Sequence, residues 1–479
     1  MNVFYRHLLP CTLFIVCCLC CHAQIDTSLS GLKRKNSFDT SVKSPLLLIA
    51  DIAINGNRRT KSYIIEREIP FKQGDYISKK DLENRLVVAR QQVTNTSLFA
   101  DVYVYVASQQ GELVFINVDV KERWYLFPLP YFKLIDRNFN TWWVQEKRSL
   151  ERVDYGLKFM QGNVSGRNDR LNISLISGYD HQVDLQYVMP FADRALKNGF
   201  GVRFVFSQQH ELGYTTDFSK QLFYKQAAYV RKVIRAEGSY FYRPAIKTRH
   251  SFRLAYVHEE VADTVLKLNP VYFANGARVL SYPELSYVLS YFDADYVAYP
   301  LKGFSGDFSF LQRGFSNNMH LTQLGFHAAY SHPFIAKTNI QLQGAGLIKL
   351  PFQQPFFNKQ LFGYGDIFLR GQEYYVVDGV AGLVFRATER KKVFSTAIKP
   401  GAKSLLHAAL PFTFYAKIYS DLGYGYNPTP GTSLLNNKLL ATWGLGLDII
   451  SIYDAVFKFE YSFNQLGGQG LFFHVQADF

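Results

Sequence analysis

Three stretches near the C-terminus, KLLATWGLGLDII (438–450), YDAVFKFEYSF (453–463) and LFFHVQADF (471–479), alternate apolar and other residues almost without a break. A period of two is typical of β-strands, and about ten residues is the length that a tilted strand needs to cross a bilayer. Each stretch carries charged side chains on one face, and aromatic residues lie near its ends. This pattern predicts membrane-spanning strands with a wet inner face. A soluble β-sandwich, with its apolar faces inward, is the alternative.

Further alternating stretches precede these three, and turn residues separate most of them. They cover residues 153–159, 171–175, 183–189, 199–209, 221–232, 236–243, 248–259, 282–291, 304–312, 318–331, 337–350, 377–388 and 407–422. The total is 16 predicted strands, an even number as in single-chain bacterial barrels. We therefore predict a mainly β fold in which residues 153–479 form a 16-stranded antiparallel transmembrane β-barrel.

The N-terminus has the order of a secretory signal peptide. Arg6 precedes an apolar stretch, residues 8–21, which ends before Ala23. We expect cleavage after Ala23, so that residues 1–23 are the signal peptide and residues 24–45 a polar linker. A retained membrane anchor is the alternative, although a helix needs about 20 apolar residues to span. All five cysteines fall within the signal peptide, which excludes disulfides and thiolate metal sites from the mature chain.

The net charge of +14 is high, but the basic residues are scattered and form no long run. This distribution argues against nucleic acid as a partner. In an exported protein it favours the phosphates of outer-membrane lipids and lipopolysaccharide. A solvated surface excess of positive charge explains it equally well.

Residues 46–122 form a separate small module. Its pattern predicts a strand, two helices beginning at Thr60 and Ser78, and two further strands. This order resembles a POTRA domain, as do the Ile54-Asn55-Gly56-Asn57 turn and the Val118-Asp119-Val120-Lys121-Glu122 exit. The resemblance implies a periplasmic domain that binds extended chains by adding a strand to its sheet edge. A passive spacer is the alternative.

Residues 123–152 are interpreted as a connector whose aromatic start suits a membrane interface. Further along, Leu369-Arg370-Gly371 lies in a long connection between two predicted strands, and Asp421-Leu422-Gly423 ends another. Both motifs resemble those of the BamA-like outer-membrane assembly and translocation superfamily, which has surface-antigen-type β-barrels. The resemblance implies a loop folded back into the lumen and a C-terminal strand signal, here Phe473, Val475 and Phe479. The chain departs from that pattern in placing Gln372 after the Arg-Gly pair.

Physical chemistry supports a contact between these two motifs. An arginine on a loop inside a narrow barrel is partly desolvated, and a carboxylate on the wall can bind its guanidinium through two hydrogen bonds. We therefore expect Arg370 to pair with Asp421 and to fix the loop, with Gly371 and Gly423 beside them. A solvent-facing Arg370 on a mobile loop is the alternative.

The chain lacks the common catalytic and metal-binding motifs, and its eleven histidines are dispersed. We expect no enzymatic activity, no cofactor and no metal. The leading hypothesis is an outer-membrane assembly or translocation factor whose periplasmic module receives unfolded outer-membrane or secreted proteins, or lipids. A passive or substrate-selective pore and a lipid-transport barrel are the alternatives.

Overall fold

The computed structural model describes residues 46–134, 153–365, 367–398 and 410–476. The expected signal peptide (1–23), linker (24–45) and C-terminal Phe479 lie outside the described residues, as does part of the expected connector, 135–152. Among the described residues, no helix is both long enough and apolar enough to cross a membrane.

The N-terminal module is a four-stranded sheet covered by helices. Its elements, in chain order, are β1 (Leu46–Asn55), α1 (Ser62–Glu66), β2 (Tyr76–Ser78), α2 (Lys79–Thr94), β3 (Phe99–Gln110) and β4 (Leu113–Glu122). The strand order is β2-β1-β4-β3, with β1 parallel to β4 and the other pairs antiparallel. The sequence does not predict β2, because three residues are too few to show a period of two.

Alternation decides how this module folds. Along β4, Val114, Ile116 and Val118 point inward and are at most 1% exposed. From α2, Ala89 and Val93 are fully buried against them. An amphipathic helix packed on a half-buried sheet gives the module its own core.

Sixteen strands from the rest of the described chain form one antiparallel sheet. Its strands are β5 (Leu126–Leu134), β6 (Val153–Gly162), β7 (Arg170–Gly178), β8 (His181–Met189), β9 (Asn198–Gln209), β12 (Arg231–Ala245), β13 (Thr248–Val261), β14 (Val279–Ala294), β15 (Gly303–Ser316), β16 (Met319–Ile335), β17 (Thr338–Leu350), β20 (Ala381–Ile398), β21 (Leu410–Tyr426), β22 (Leu439–Ile450), β23 (Val456–Asn464) and β24 (Gln469–Gln476). Each strand pairs with the next in this order. The predicted fold class and strand number are confirmed.

Smaller elements lie in the connections. These are β10 (Glu211–Asp217), β11 (Lys220–Lys225), α3 (Asp263–Leu268), β18 (Gln360–Phe362), β19 (Val377–Asp378) and the 3-10 turns Ala274–Gly276, Phe356–Asn358 and Ile452–Asp454. β10 and β11 form a separate hairpin, and so do β18 and β19.

The sheet has an apolar exposed face and a polar buried face. In β22, Trp443 and Leu445 are 50% and 54% exposed, whereas Thr442 and Asp448 on the other face are 2% and 1% exposed. A soluble sandwich would have the opposite distribution, because burying apolar surface is what stabilises it. The arrangement suits a lipid-facing outside, and it argues against the sandwich alternative.

Two predicted strands differ from the observed ones. The sequence predicts that the stretch 221–232 belongs to the sheet, but β11 pairs with β10 in a separate hairpin and the sheet strand begins at Arg231. Alternation of apolar and polar residues predicts that a segment is a strand, but it does not determine the sheet to which that strand belongs. Conversely, β5 lies within residues 123–152, which the sequence predicts to be a connector. A strand is not predicted there because Pro128 and Pro130 argue against one. Proline is tolerated at a sheet edge, and in the described part of the chain β5 pairs only with β6.

Candidate functional site

The connection between β17 and β20, residues 351–380, folds against the polar buried face of the sheet; we call it the long loop. Near its start, the Lys349 ammonium donates to the carbonyl oxygens of Asn358, at 2.8 Å, and Gln360. Further on, apolar side chains of the long loop pack against those of the sheet and of the β21–β22 connection. This cluster contains Leu361, Phe362, Leu369, Val377, Val384, Leu435 and Leu440. The long loop is therefore held in place on both sides of its tip.

Arg370 and Asp421 meet at that tip. The backbone N–H and Nε of Arg370 each donate to Asp421 Oδ2 at 3.0 Å, and its Nη2 donates to Oδ1. Asp421 is fully buried and Arg370 is 8% exposed. Three charge-assisted hydrogen bonds to one carboxylate fix both the side chain and the backbone of the long loop.

The remaining surface of the guanidinium is also in contact with the sheet. Its Nη1 donates to Thr388 Oγ1 at 3.0 Å and lies 3.9 Å from a Glu460 oxygen. The guanidinium carbon lies 4.0 Å from the centre of the Tyr419 ring, a cation–π arrangement. A desolvated arginine needs such partners, because an unsatisfied buried charge is costly.

Two glycines allow the loop tip to approach the wall. Gly371 has a φ of +89°, and a Cβ there would lie 2.8 Å from the Cβ of Ser462. Its carbonyl oxygen accepts a hydrogen bond of 2.7 Å from Asn464 Nδ2. At Gly423, a Cβ would lie 3.1 Å from Leu369. Gln372, at the position where the chain departs from the superfamily pattern, is 4% exposed.

A group of ionisable side chains next to the tip was not foreseen from the sequence. Glu373 of the long loop, Glu460 of β23 and His474 of β24 place their ligand atoms within 4.8 Å of one another. They are far apart in sequence and form no motif, so that only the folded chain reveals them. Lys417 donates to Glu460 at 2.6 Å and to Asp448 at 2.5 Å, and all three of these side chains are buried.

The predicted C-terminal strand signal is described in part. Phe473 and Val475 lie in β24 on the exposed face, at 55% and 54% exposure. Phe473 pairs with Phe459 of β23, and their ring centres are 4.9 Å apart. Phe479 lies outside the described residues, so its place in a closing strand stays a prediction.

The N-terminal module offers one long sheet edge. Within the described residues β3 pairs with β4 alone, and the opposite edge of the sheet is the three-residue β2. The side chains of Tyr103 and Tyr105 on β3 are 56% and 42% exposed. An extended chain can hydrogen-bond to such an edge with little demand on its sequence.

The module is docked on the strand turns at one end of the sheet. Glu68 accepts hydrogen bonds of 2.5 and 2.8 Å from the guanidinium of Arg243, which lies near the end of β12, next to its turn. Asp454, in the β22–β23 turn, accepts bonds of 2.8 and 3.1 Å from Arg123 and one of 2.9 Å from Ser97. The Tyr296 hydroxyl donates to the same carboxylate. These contacts fix the module relative to the sheet.

Comparison with known proteins identifies the N-terminal module. A model of the POTRA family, described as "Surface antigen variable number repeat", matches residues 47–123. No curated protein sequence matches the chain.

Solved structures resemble nearly the whole chain. BamA from Haemophilus ducreyi lacking POTRA domains 1–3 is 15% identical, with a TM-score of 0.50 over 90% of this chain and 84% of that one. CdiB from Escherichia coli is 10% identical, with a TM-score of 0.49 over 90% of this chain and 75% of that one. CdiB from Acinetobacter baumannii is 13% identical, with a TM-score of 0.48 over 90% and 74%. At this level of identity the likeness to BamA concerns the fold.

Proposed function

Because this chain is a BamA-like protein in which a POTRA domain precedes a 16-stranded β-barrel sheet, we propose that it is an outer-membrane assembly or translocation factor. The POTRA domain lies in the periplasm and receives unfolded outer-membrane or secreted proteins. The barrel inserts them into the membrane or passes them across it. The observation that carries the proposal is the long β3 edge of a POTRA domain fixed to the turns of the sheet.

The β3 edge is suited to many clients. Backbone N–H and C=O groups along a free strand edge bind any extended chain, so affinity does not require a defined client sequence. The exposed Tyr103 and Tyr105 add apolar contacts beside that edge. A dedicated porin has no use for such a surface, which favours a client-handling function over a passive pore.

The outer face of the sheet supports a place in the membrane. Large apolar side chains are exposed along the last strand, with Leu471 at 68% and Phe473 at 55%. Such a surface is stable in contact with acyl chains and would aggregate in water. Outer-membrane lipids and lipopolysaccharide are therefore the partners that we propose for the outside of the barrel.

The Arg370–Asp421 pair gives the long loop a role in this function. Each charge is buried and has the other as its main partner, so the two hold the loop tip against the sheet as one unit. We assign this pair the role of a loop lock that shapes the inner face along which a client would pass.

Site-specific photo-crosslinking in cells tests the proposal. A photoreactive residue at Tyr103, on the β3 edge, is expected to capture unfolded outer-membrane or secreted proteins. The matched control is Tyr76, which is 66% exposed on β2, at the opposite edge of the same sheet. Capture at both positions alike, or none at Tyr103, would contradict binding at the edge.

Deletion of residues 46–122 tests whether the proposed function requires the POTRA domain. The barrel is expected to reach the outer membrane in a heat-modifiable form but to lose activity, because client binding is removed. Full activity of the deletion variant would reduce the POTRA domain to a spacer. A large, steady ion conductance of the full-length protein in planar bilayers would favour the pore instead.

A further inference from the structure

The ionisable group beside the loop tip connects three separate parts of the chain. Glu373 follows the loop lock, Glu460 lies in β23, and His474 lies in β24. His474 Nε2 is 3.4 Å from Glu373 Oε1 and 3.5 Å from Glu460 Oε2. Glu460 is 2% exposed, so one member of the group is firmly buried.

Three polar atoms of this group lack hydrogen-bond partners among the described residues. Both carboxylate oxygens of Glu373 and Nε2 of His474 are buried and make no hydrogen bond within the described part of the chain. Such atoms are rare in folded proteins, because burying a polar group without a partner costs about 1 to 3 kcal/mol. The ligand oxygens of Glu373 and Glu460 also lie within 4.8 Å of each other, and the buried Lys417 bonds to Glu460 from outside this group.

The separations fit a metal ion better than direct hydrogen bonds. A charge-assisted N–H···O bond is about 2.7 to 2.9 Å long, which is shorter than both distances to His474. In a tetrahedral zinc site with bonds of about 2.1 Å, neighbouring ligand atoms are about 3.4 Å apart. The two distances from His474 to the carboxylates match that separation between ligand atoms.

We propose that Glu373, Glu460 and His474 bind a zinc ion. Glu373 Oε1, Glu460 Oε2 and His474 Nε2 supply the three protein ligands, and water fills the fourth position. One imidazole and two carboxylates favour zinc over calcium and magnesium, which take oxygen ligands. Glu460 Oε1 keeps its bond to Lys417, which orients the carboxylate from outside the ligand set.

The ion would join the long loop to the last two strands of the sheet. Within the described residues β24 pairs only with β23, so its position depends on few neighbours. A zinc ion at His474 adds a bond from β24 to β23 and another to the loop beyond Arg370. The site is therefore structural, and it stabilises β24 and the loop tip together.

Zinc titration of the full-length protein in detergent tests the proposal. After removal of metals with a chelator, zinc chloride is added in competition with a chromophoric chelator. One zinc per chain is expected to bind, and calcium chloride is not expected to compete. The His474→Ala and Glu373→Gln variants are expected to bind zinc more than about 100-fold more weakly, since even partners outside the ligand set change affinity by about 10- to 100-fold. Zinc should also raise the temperature at which the unmodified protein loses its folded gel mobility, with no rise in the two variants.

His327→Ala is the matched control. His327 faces one carboxylate, that of Asp307 at 3.8 Å, and is half exposed on the sheet. The His327→Ala variant should bind zinc with the same affinity as the unmodified protein. The proposal is overturned if the unmodified protein binds no zinc, if His474→Ala binds it equally well, or if His327→Ala loses it.

Discussion

At the residue scale, the loop lock is an arginine whose charge is almost wholly satisfied by one carboxylate. Arg370 makes three hydrogen bonds to Asp421 and one to Thr388. The sequence was sufficient to predict the Arg370–Asp421 contact, because both residues lie in recognisable motifs. Thr388, Tyr419 and Glu460 belong to no motif, and their places around the guanidinium follow only from the register of β20, β21 and β23.

Breaking the lock should impair function while the barrel still forms. Losing one partner of a buried pair costs about 3 to 5 kcal/mol, and water on the inner face would reduce that. Arg370→Ala and Asp421→Ala are each expected to release the loop tip and to lower activity. Because both act through one interaction, the double variant should be little worse than either single variant. Activity and heat-modifiable mobility, measured on all three, give the coupling.

A second arginine pair on the sheet provides the control for this cycle. Arg203 donates to Asp184 through bonds of 3.0 and 2.7 Å, with similar geometry but between neighbouring strands and 38% side-chain exposure. Arg203→Ala should leave activity near that of the unmodified protein, since exposed pairs contribute about 0 to 1 kcal/mol. Strictly additive losses at Arg370 and Asp421, or an equal loss at Arg203, would contradict the loop lock.

At the scale of elements, the strands were more predictable than their partners. Alternation gave the correct number of strands, because the polar buried face and the apolar outer face are separated residue by residue. Alternation wrongly placed β11 in the sheet, because it carries no information on which strands pair. It also failed to predict β5, because proline argues against a strand although it is tolerated at a sheet edge. Docking of the POTRA domain on the turns was not predictable, because single residues in short turns show no pattern.

The Asp454 contact should make POTRA docking sensitive to acid. Burial alone would raise the pKa of Asp454, but hydrogen bonds from Arg123 and the charge of that residue outweigh it, together with the hydroxyls of Tyr296 and Ser97. The net pKa is lowered, so the docked state binds fewer protons than the undocked one. Docking is therefore strongest above the ordinary aspartate pKa of about 3.9 and weakens as the pH falls through the lowered value.

Distance measurements between spin labels can follow this change. All five cysteines lie between residues 11 and 21, so in a chain that begins at Gln24, labels on cysteines introduced at Val87 of the POTRA domain and Phe315 of the sheet are specific. The distance distribution should be narrow at about pH 7 and broaden at about pH 3. Asp454→Asn should broaden it at both pH values and remove most of the difference. An unchanged distribution at low pH would show that the other contacts, such as Glu68–Arg243, suffice.

At the scale of the whole molecule, the closure of the sheet depends on its two outer strands. Each residue of β5 from Leu126 to Leu134 is paired with β6 without interruption. In such an antiparallel ladder alternate residues exchange both backbone hydrogen bonds. Proline has no N–H, so Pro128 and Pro130 must occupy the other positions, where the backbone nitrogen points away from β6. The free edge of β5 therefore lacks two donors.

If β24 and the residues after it pair with β5 and so close the sheet, this strand pair lacks two hydrogen bonds that an ordinary strand pair would have. Replacing both Pro128 and Pro130 by valine should then strengthen it, since each backbone hydrogen bond contributes about 0.5 to 1.5 kcal/mol. The expected result is a higher temperature for loss of the folded gel mobility. Proline removal by itself acts in the opposite direction, because it makes the unfolded chain more flexible.

Pro411→Val separates these two effects. Pro411 pairs with Ala397 of β20 in the ladder, so its nitrogen points toward the β22 side, where β22 ends at Ile450, opposite Thr413. This variant gains an N–H beyond the end of β22, but it loses the same proline rigidity. It should lower the transition temperature, whereas the Pro128/Pro130 variant should raise it. If both variants lower it equally, no strand is bound at the free edge of β5. Closure by the C-terminal strand, including the predicted place of Phe479, would then be wrong.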